Sequence, residues 1–129
     1  MSARPAISLI AALAMLGGCG TGEDPLLACQ QRIDAAGRVV SPEDDSFGAA
    51  AYEKVDRNGC NAAQLARLDR VTALTSALPG LTAANEQAGK SGDKAAHMAA
   101  FQRMNDALIE LNAIQQSLRS DLAAMEQSQ

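Results

Sequence analysis

The segment Gly89-Lys90-Ser91 matches the end of the phosphate-binding pattern G-x-x-x-x-G-K-[ST]. In that pattern a glycine-rich loop follows a strand, and its backbone N–H groups and lysine surround a phosphate chain. Here Ala84 stands in place of the first required glycine, and the residues before the segment have helical spacing. We therefore interpret residues 89–92 as a turn between two helices.

Two acidic segments have oxygen ligands that could suit a divalent cation. Residues 56–59, Asp-Arg-Asn-Gly, resemble part of a calcium loop with glycine at its sixth position. In that register Lys54 and Leu65 occupy the first and twelfth positions, where carboxylates are required. The acidic residues 43–45 fall in the first turn of a predicted helix, where they complement the helix dipole. The sequence therefore predicts no metal site and no cofactor.

His97 is the only histidine, and Met98, Phe101 and Met104 follow it closely. Imidazole and thioether ligands suit copper, but adjacent residues point to different faces of a helix and Met104 lies two turns away. Catalysis by His97 would also need a partner side chain in a cleft, which a narrow pair of helices seldom forms. We interpret these residues as a packing face and predict no catalytic residue and no enzymatic activity.

The element that carries His97 is predicted to be a helix over residues 94–126. No Pro or Gly occurs from residue 93 to residue 129, and about 33 helical residues would extend roughly 50 Å. Its large apolar residues recur at steps of three and four, which places them on one face. A stripe of this length needs a second surface, so we predict an interaction face made of Phe101, Met104, Leu108, Leu111, Leu118, Leu122 and Met125.

Gln115 interrupts this apolar face. A polar residue at such a position can fix the register or the oligomeric state of packed helices. Alternatively, the apolar stripe drifts around the helix there and Ile114 takes over, which is the interpretation we favour.

Two short helices are predicted near the start of the chain. Asp24-Pro25 indicates an N-cap followed by Pro at the first helical position, and Gly37 indicates a stop, which gives a helix over residues 25–36. Ser41-Pro42 indicates a second start, and that helix is expected to end at residues 58–59, Asn-Gly.

A third, long helix is predicted to begin at Cys60-Asn61. Pro79 removes a backbone donor and clashes with the preceding turn, so we expect a kink or a break near residue 78. Either Ser91 or Asp93 is expected to cap the last helix.

Together these elements predict an all-α fold for residues 24–129. Aromatic residues are scarce and Ala and Leu are abundant, which favours helix packing over a sheet. The short turn makes the two long helices an antiparallel hairpin, and the two short N-terminal helices are expected to lie across its open end. We treat residues 24–129 as a single helical domain.

The first residues have the pattern of an export signal. Arg4 precedes an apolar run over residues 5–16, which is too short to cross a bilayer core of about 20 helical residues. The residues that follow, Leu16-Gly17-Gly18-Cys19, resemble the lipobox of bacterial lipoproteins. The resemblance implies a signal peptide over residues 1–18 and diacylglyceryl and acyl modification of Cys19.

Residues 19–23 would then be the lipidated cysteine and a short spacer. No Asp follows Cys19. In lipoproteins of this type, Asp at that position is associated with retention in the inner membrane, so the resemblance implies sorting to the outer membrane in a Gram-negative host. The resemblance therefore implies a lipid-anchored protein of the cell envelope that faces the periplasm. The alternative is ordinary secretion with cleavage after residues 12–14, Ala-Leu-Ala.

The cysteine count is consistent with an oxidising compartment. If Cys19 carries lipid, Cys29 and Cys60 remain as an even pair, and we expect them to form a disulfide. Such a bridge would close a loop of about 30 residues and stabilise the fold by roughly 3.5 to 4 kcal/mol in the chain-entropy treatment.

The formal net charge is −4 and no basic cluster is present, which argues against nucleic acid as a partner. Two functions remain. The first is a non-enzymatic structural, adaptor or inhibitor role through contact with a protein partner or a second copy. The alternative is a helical module that binds a small molecule or lipid in an apolar slot between its helices.

Overall fold

The computed structural model describes residues 24–39 and 48–129. These residues form four helices and no strand: α1 (Pro25–Gly37), α2 (Ala49–Glu53), α3 (Ala62–Ser91) and α4 (Lys94–Gln127). The two long helices α3 and α4 pack against each other as a hairpin. The all-α class, the helical hairpin and the disulfide predicted from the sequence are confirmed.

The helix starts follow local capping rules. Asp24 is the N-cap of α1, and its carboxylate accepts a hydrogen bond from the Leu26 N–H at 3.0 Å. Asn61 and Gln64 form a capping box at the start of α3, in which each side chain accepts a hydrogen bond from the other residue's backbone N–H. These bonds satisfy donors that the first turn of a helix leaves unpaired.

The turn between the long helices is shorter than predicted. α3 continues to Ser91, and Gly92 alone leaves the helix, with a φ of 76° that other residues rarely adopt. Asp93 is the N-cap of α4, because its carboxylate accepts hydrogen bonds from the N–H groups of Ala95 and Ala96. Of the two capping candidates, Asp93 is therefore correct.

α2 is shorter than the sequence indicated. The predicted start at Ser41-Pro42 lies outside the described residues. The predicted end at residues 58–59 is wrong, since α2 stops at Glu53. The Arg32 side chain donates hydrogen bonds to the backbone oxygens of Asp56 and Asn58, which holds this stretch as an irregular connection between α2 and α3.

Pro79 does not break α3. The helix is continuous from Ala62 to Ser91, so of the kink or break expected near residue 78, the break does not occur. Pro79 has no N–H to donate to the carbonyl of Thr75, and a proline inside a helix costs about 3 kcal/mol. Leu74, Thr75 and Leu78 are buried just before it, and this packing holds the helical path despite the missing bond.

The core lies at the open end of the hairpin, where α1 and α2 cover the groove between α3 and α4. The disulfide joins α1 to the residue just before α3, with the Cα atoms of Cys29 and Cys60 5.3 Å apart. The buried residues of this cluster are Cys29, Ile33, Ala36, Tyr52, Leu68, Val71, Leu74, Leu78, Leu111 and Leu118. No helix in the described part of the chain is both long and apolar enough to cross a membrane.

Candidate interaction face

The interaction face predicted on the last helix is divided by the structure into two halves. In the C-terminal half Leu111, Leu118 and Leu122 are buried inside the chain, and Met125 is half-buried. The buried residues are therefore not available to a partner, and the prediction is corrected there. The reason is that α1 packs on this part of α4, where the Gln30 side chain donates a hydrogen bond to the Leu118 carbonyl at 3.1 Å.

The N-terminal half of α4 remains exposed. Phe101 and Leu108 of the predicted face are open to solvent there, and Met104 is half-buried. Two more large apolar residues are exposed beside them, although the predicted face did not include them. We define the apolar patch as Met98, Phe101, Leu108 and Ile109, which are 64%, 46%, 37% and 59% exposed.

The inner side of this half is made of small residues. Ala100 faces α3 and is buried, while the facing part of α3 contributes Ala88 and Gly89. The ring of His97 lies against Gly89, 3.4 Å from where a Cβ atom would be. Near the turn, the hairpin therefore puts small residues inside and large apolar residues outside, the reverse of its open end.

Charged residues of the same half lie on another side of α4. At 100° per residue, the apolar patch spans an arc of about 100°, and Arg103, Asp106 and Glu110 lie on a separate arc roughly opposite it. Glu110 forms an exposed ion pair with Arg70 of α3, whose Nη2 donates to Oε1 at 2.6 Å. This hydrogen bond lowers the pKa of Glu110 and raises that of Arg70.

Gln115 has a partner within its own chain. Its Nε2 donates a hydrogen bond to the hydroxyl oxygen of Tyr52 at 3.1 Å, which ties α2 to α4. Burial raises the pKa of Tyr52, although the hydrogen bond from Gln115 acts in the opposite direction. Ile114 packs partly buried against the core, as expected if the apolar stripe drifts there.

The three cavities considered among the described residues are too small or too open to enclose a small-molecule ligand. Asp34, Tyr52, Gln115 and Arg119 help to line a cavity of about 50 Å³, which has room for one or two water molecules. Two wider depressions of about 310 and 370 Å³ are open to solvent, and residues of α4 alone line the larger. A small-molecule site normally encloses most of its ligand, so neither depression has the expected shape.

The other candidates for chemistry are dispersed. No group of three metal-binding side chains occurs within residues 24–39 and 48–129. Residues 89–91 are helical, and residues 56–59 form part of the irregular connection. The acidic residues 43–45 and the predicted lipidation site Cys19 lie outside the described residues.

Comparison with known proteins identified no relative of this chain. No family model, curated protein or solved structure matches the chain.

Proposed function

We propose that this chain is a small lipoprotein of the cell envelope that acts by protein–protein contact, as a scaffold, adaptor or inhibitor. The apolar patch on α4 is the observation that carries the proposal. Four large apolar side chains stand exposed within about three turns of one helix, although the opposite side of that helix is charged. A contiguous exposed apolar patch that is rimmed by polar residues is typical of an interaction site.

The shape of the patch supports a protein partner. It lies on a convex helix, and a second helix or a flat protein surface can cover such a stripe, whereas a small molecule needs a concave site. Between residues 98 and 109 the arc of the patch holds no charged residue, and Lys94 borders it one turn before Met98. An apolar surface is therefore the partner that the patch fits. This geometry favours protein contact over the alternative of ligand binding between the helices.

The envelope location rests on two features of the sequence and structure. The lipobox-like segment ends at Cys19, and the remaining cysteines are joined in a disulfide, a bond that persists mainly in oxidising compartments. Several acyl chains would hold the protein at the membrane almost permanently. The anchor would keep the apolar patch close to other envelope proteins.

Site-specific photo-crosslinking in intact cells tests the contact role. A photoreactive amino acid is placed at Phe101 in the full chain, and the matched variant carries it at Arg103, on the charged side of the same turn. We expect a protein adduct from position 101 and a much weaker one from position 103. Equal labelling at both positions, or labelling at neither, would refute the contact role.

Metabolic labelling with palmitate tests the anchor. Wild-type protein is expected to incorporate the label and to fractionate with membranes. A Cys19→Ser variant is expected to lose both properties while it keeps the Cys29–Cys60 disulfide. Unlabelled wild-type protein, together with identical fractionation of both forms, would overturn the lipoprotein assignment.

A further inference from the structure

We propose that the partner of the apolar patch is a second copy of this chain, bound antiparallel along the N-terminal half of α4. This inference rests on the proposed contact function and names its partner. It requires that the same surface be complementary to itself, because a two-fold symmetric interface uses one patch twice.

The order of residues along the patch meets this requirement. Asn105 lies at its centre, with Phe101 four residues before it and Ile109 four residues after it. If a two-fold axis passes beside Asn105, Phe101 of each copy packs on Ile109 of the other. Leu108 and Met98 extend the contact on either side, so each large apolar residue gains an apolar or neutral neighbour.

Asn105 itself favours a second copy over an unrelated partner. Its side chain is half-buried, and no hydrogen bond joins it to another described residue. An amide both donates and accepts, so two Asn105 side chains across a two-fold axis can bond to each other. A charged residue at the same position would repel its own copy. A single Asn at an apolar helix interface is also a known means of fixing register.

The area of the patch sets the strength of the dimer. The apolar patch from residue 98 to residue 109 is about 17 Å long on a helix about 10 Å wide. Stable interfaces bury about 800 Å² on each partner, which is more than this face alone provides. We therefore expect a reversible dimer, and anchoring both copies in one membrane would raise their effective concentration.

Cysteine cross-linking of the full chain tests the arrangement. A residue beside a two-fold axis meets its own copy, so Asn105→Cys is expected to give a covalent dimer under mild oxidation. Arg103→Cys, on the opposite side of the helix, is expected to remain monomeric. Adding Phe101→Asp to Asn105→Cys should lower the dimer yield by about tenfold or more, because a charge would then enter the apolar contact.

Circular dichroism of the Phe101→Asp variant should match wild type, since Phe101 is exposed and its loss leaves the core intact. Equal cross-linking at positions 105 and 103, or cross-linking insensitive to Phe101→Asp, would overturn the dimer. If Asn105→Cys stays monomeric while the photoreactive residue at Phe101 labels a different protein, the dimer is refuted and the contact function stands. If neither experiment gives an adduct, both proposals fail.

Discussion

At the open end of the hairpin, large apolar side chains from all four helices meet in one core, whereas near the turn they point to solvent. Tyr52, Ile33 and Leu68 are almost fully buried at the open end, and a disulfide fixes α1 beside them. Near the turn, Ala100 faces α3 and Met98 and Phe101 face outward. One helix, α4, therefore has two different environments along its length.

This contrast assigns the two halves of the hairpin different roles. The open end can hold the fold together by burial, since each large apolar side chain removed from water contributes about 1.5 to 3 kcal/mol. The half near the turn buries small residues, which contribute less. Its large residues would contribute only when another surface covers them, so that half is suited to contact and the open end to stability.

Removing the disulfide should have the largest effect on the open end. Cys29 and Cys60 are 31 residues apart in sequence, and closing a loop of that size stabilises a fold by roughly 3.5 to 4 kcal/mol. We expect a Cys29→Ala/Cys60→Ala variant to lose about that free energy of unfolding in urea titration. A reducing agent should destabilise wild type similarly and leave the double variant unchanged. A double variant as stable as wild type would show that burial alone holds α1 in place.

The same substitution in the two halves of α4 measures the contrast directly. Leu118 is 2% exposed, whereas Leu108 is 37% exposed. Leu118→Ala should lower the free energy of unfolding of the monomer by about 2 to 5 kcal/mol, while Leu108→Ala should change it by less than about 1 kcal/mol. Chemical denaturation at low protein concentration provides the measurement. Similar losses for both variants would mean that the half near the turn is packed as firmly as the open end.

The helix caps could be predicted from the sequence because they are local. Asp24 and Asp93 each bond to backbone groups within three residues, and such bonds follow from residue type and spacing. The cysteine pair was also predictable, since only two cysteines follow the lipobox-like segment. The long helices followed from apolar spacing sustained over many turns.

The division of the apolar stripe could not be predicted from its spacing. The spacing places Leu108 and Leu118 on one broad face about 80° apart around the helix, but it does not show that α1 covers only the C-terminal half of that face. The end of α2 was missed for a similar reason, because Arg32 reaches residues 24 and 26 positions away. The continuity of α3 through Pro79 likewise depends on tertiary packing, which single-sequence rules do not contain.

Tyr52 makes the stability of the open end depend on pH. Because burial raises its pKa in the folded state above the ordinary value of 10.0, folding favours the neutral hydroxyl. The stabilisation that comes from keeping Tyr52 neutral is fully present below about pH 10, and it is lost as the pH rises through the folded-state pKa. We therefore expect the free energy of unfolding to fall above about pH 10, by up to 1.4 kcal/mol per pH unit.

Tyr52 is the only tyrosine and the chain has no tryptophan, so the near-ultraviolet absorbance of the phenolate reports its titration alone. In a Tyr52→Phe variant, the part of this decline that comes from Tyr52 should disappear. Its free energy of unfolding at neutral pH should be lower by about 1 kcal/mol, because the Gln115 hydrogen bond is missing. If the phenolate appears at the same pH in folded and urea-unfolded protein, the hydroxyl is not held as the structure describes it.

Exchanging glycine for alanine should change the stability of the fold in opposite directions at Gly37 and Gly80. A Cβ atom at Gly37 would lie 2.5 Å from the Tyr52 hydroxyl oxygen, whereas one at Gly80 would have no atom within 4 Å. Gly37→Ala should therefore destabilise the fold by about 1 to 3 kcal/mol, and Gly80→Ala should stabilise it by about 0.5 to 1 kcal/mol through helix propensity.

A double-mutant cycle identifies the cause of the first effect. Tyr52→Phe removes the atom that crowds position 37, so Gly37→Ala should cost much less in that background than in wild type. Gly80→Ala should give the same gain in both backgrounds, because a Cβ atom at position 80 has no atom within 4 Å and so does not contact Tyr52. Equal costs of Gly37→Ala in both backgrounds would trace the loss to the end of α1 itself. The close approach of α1 to α2 would then no longer explain why a glycine stands there.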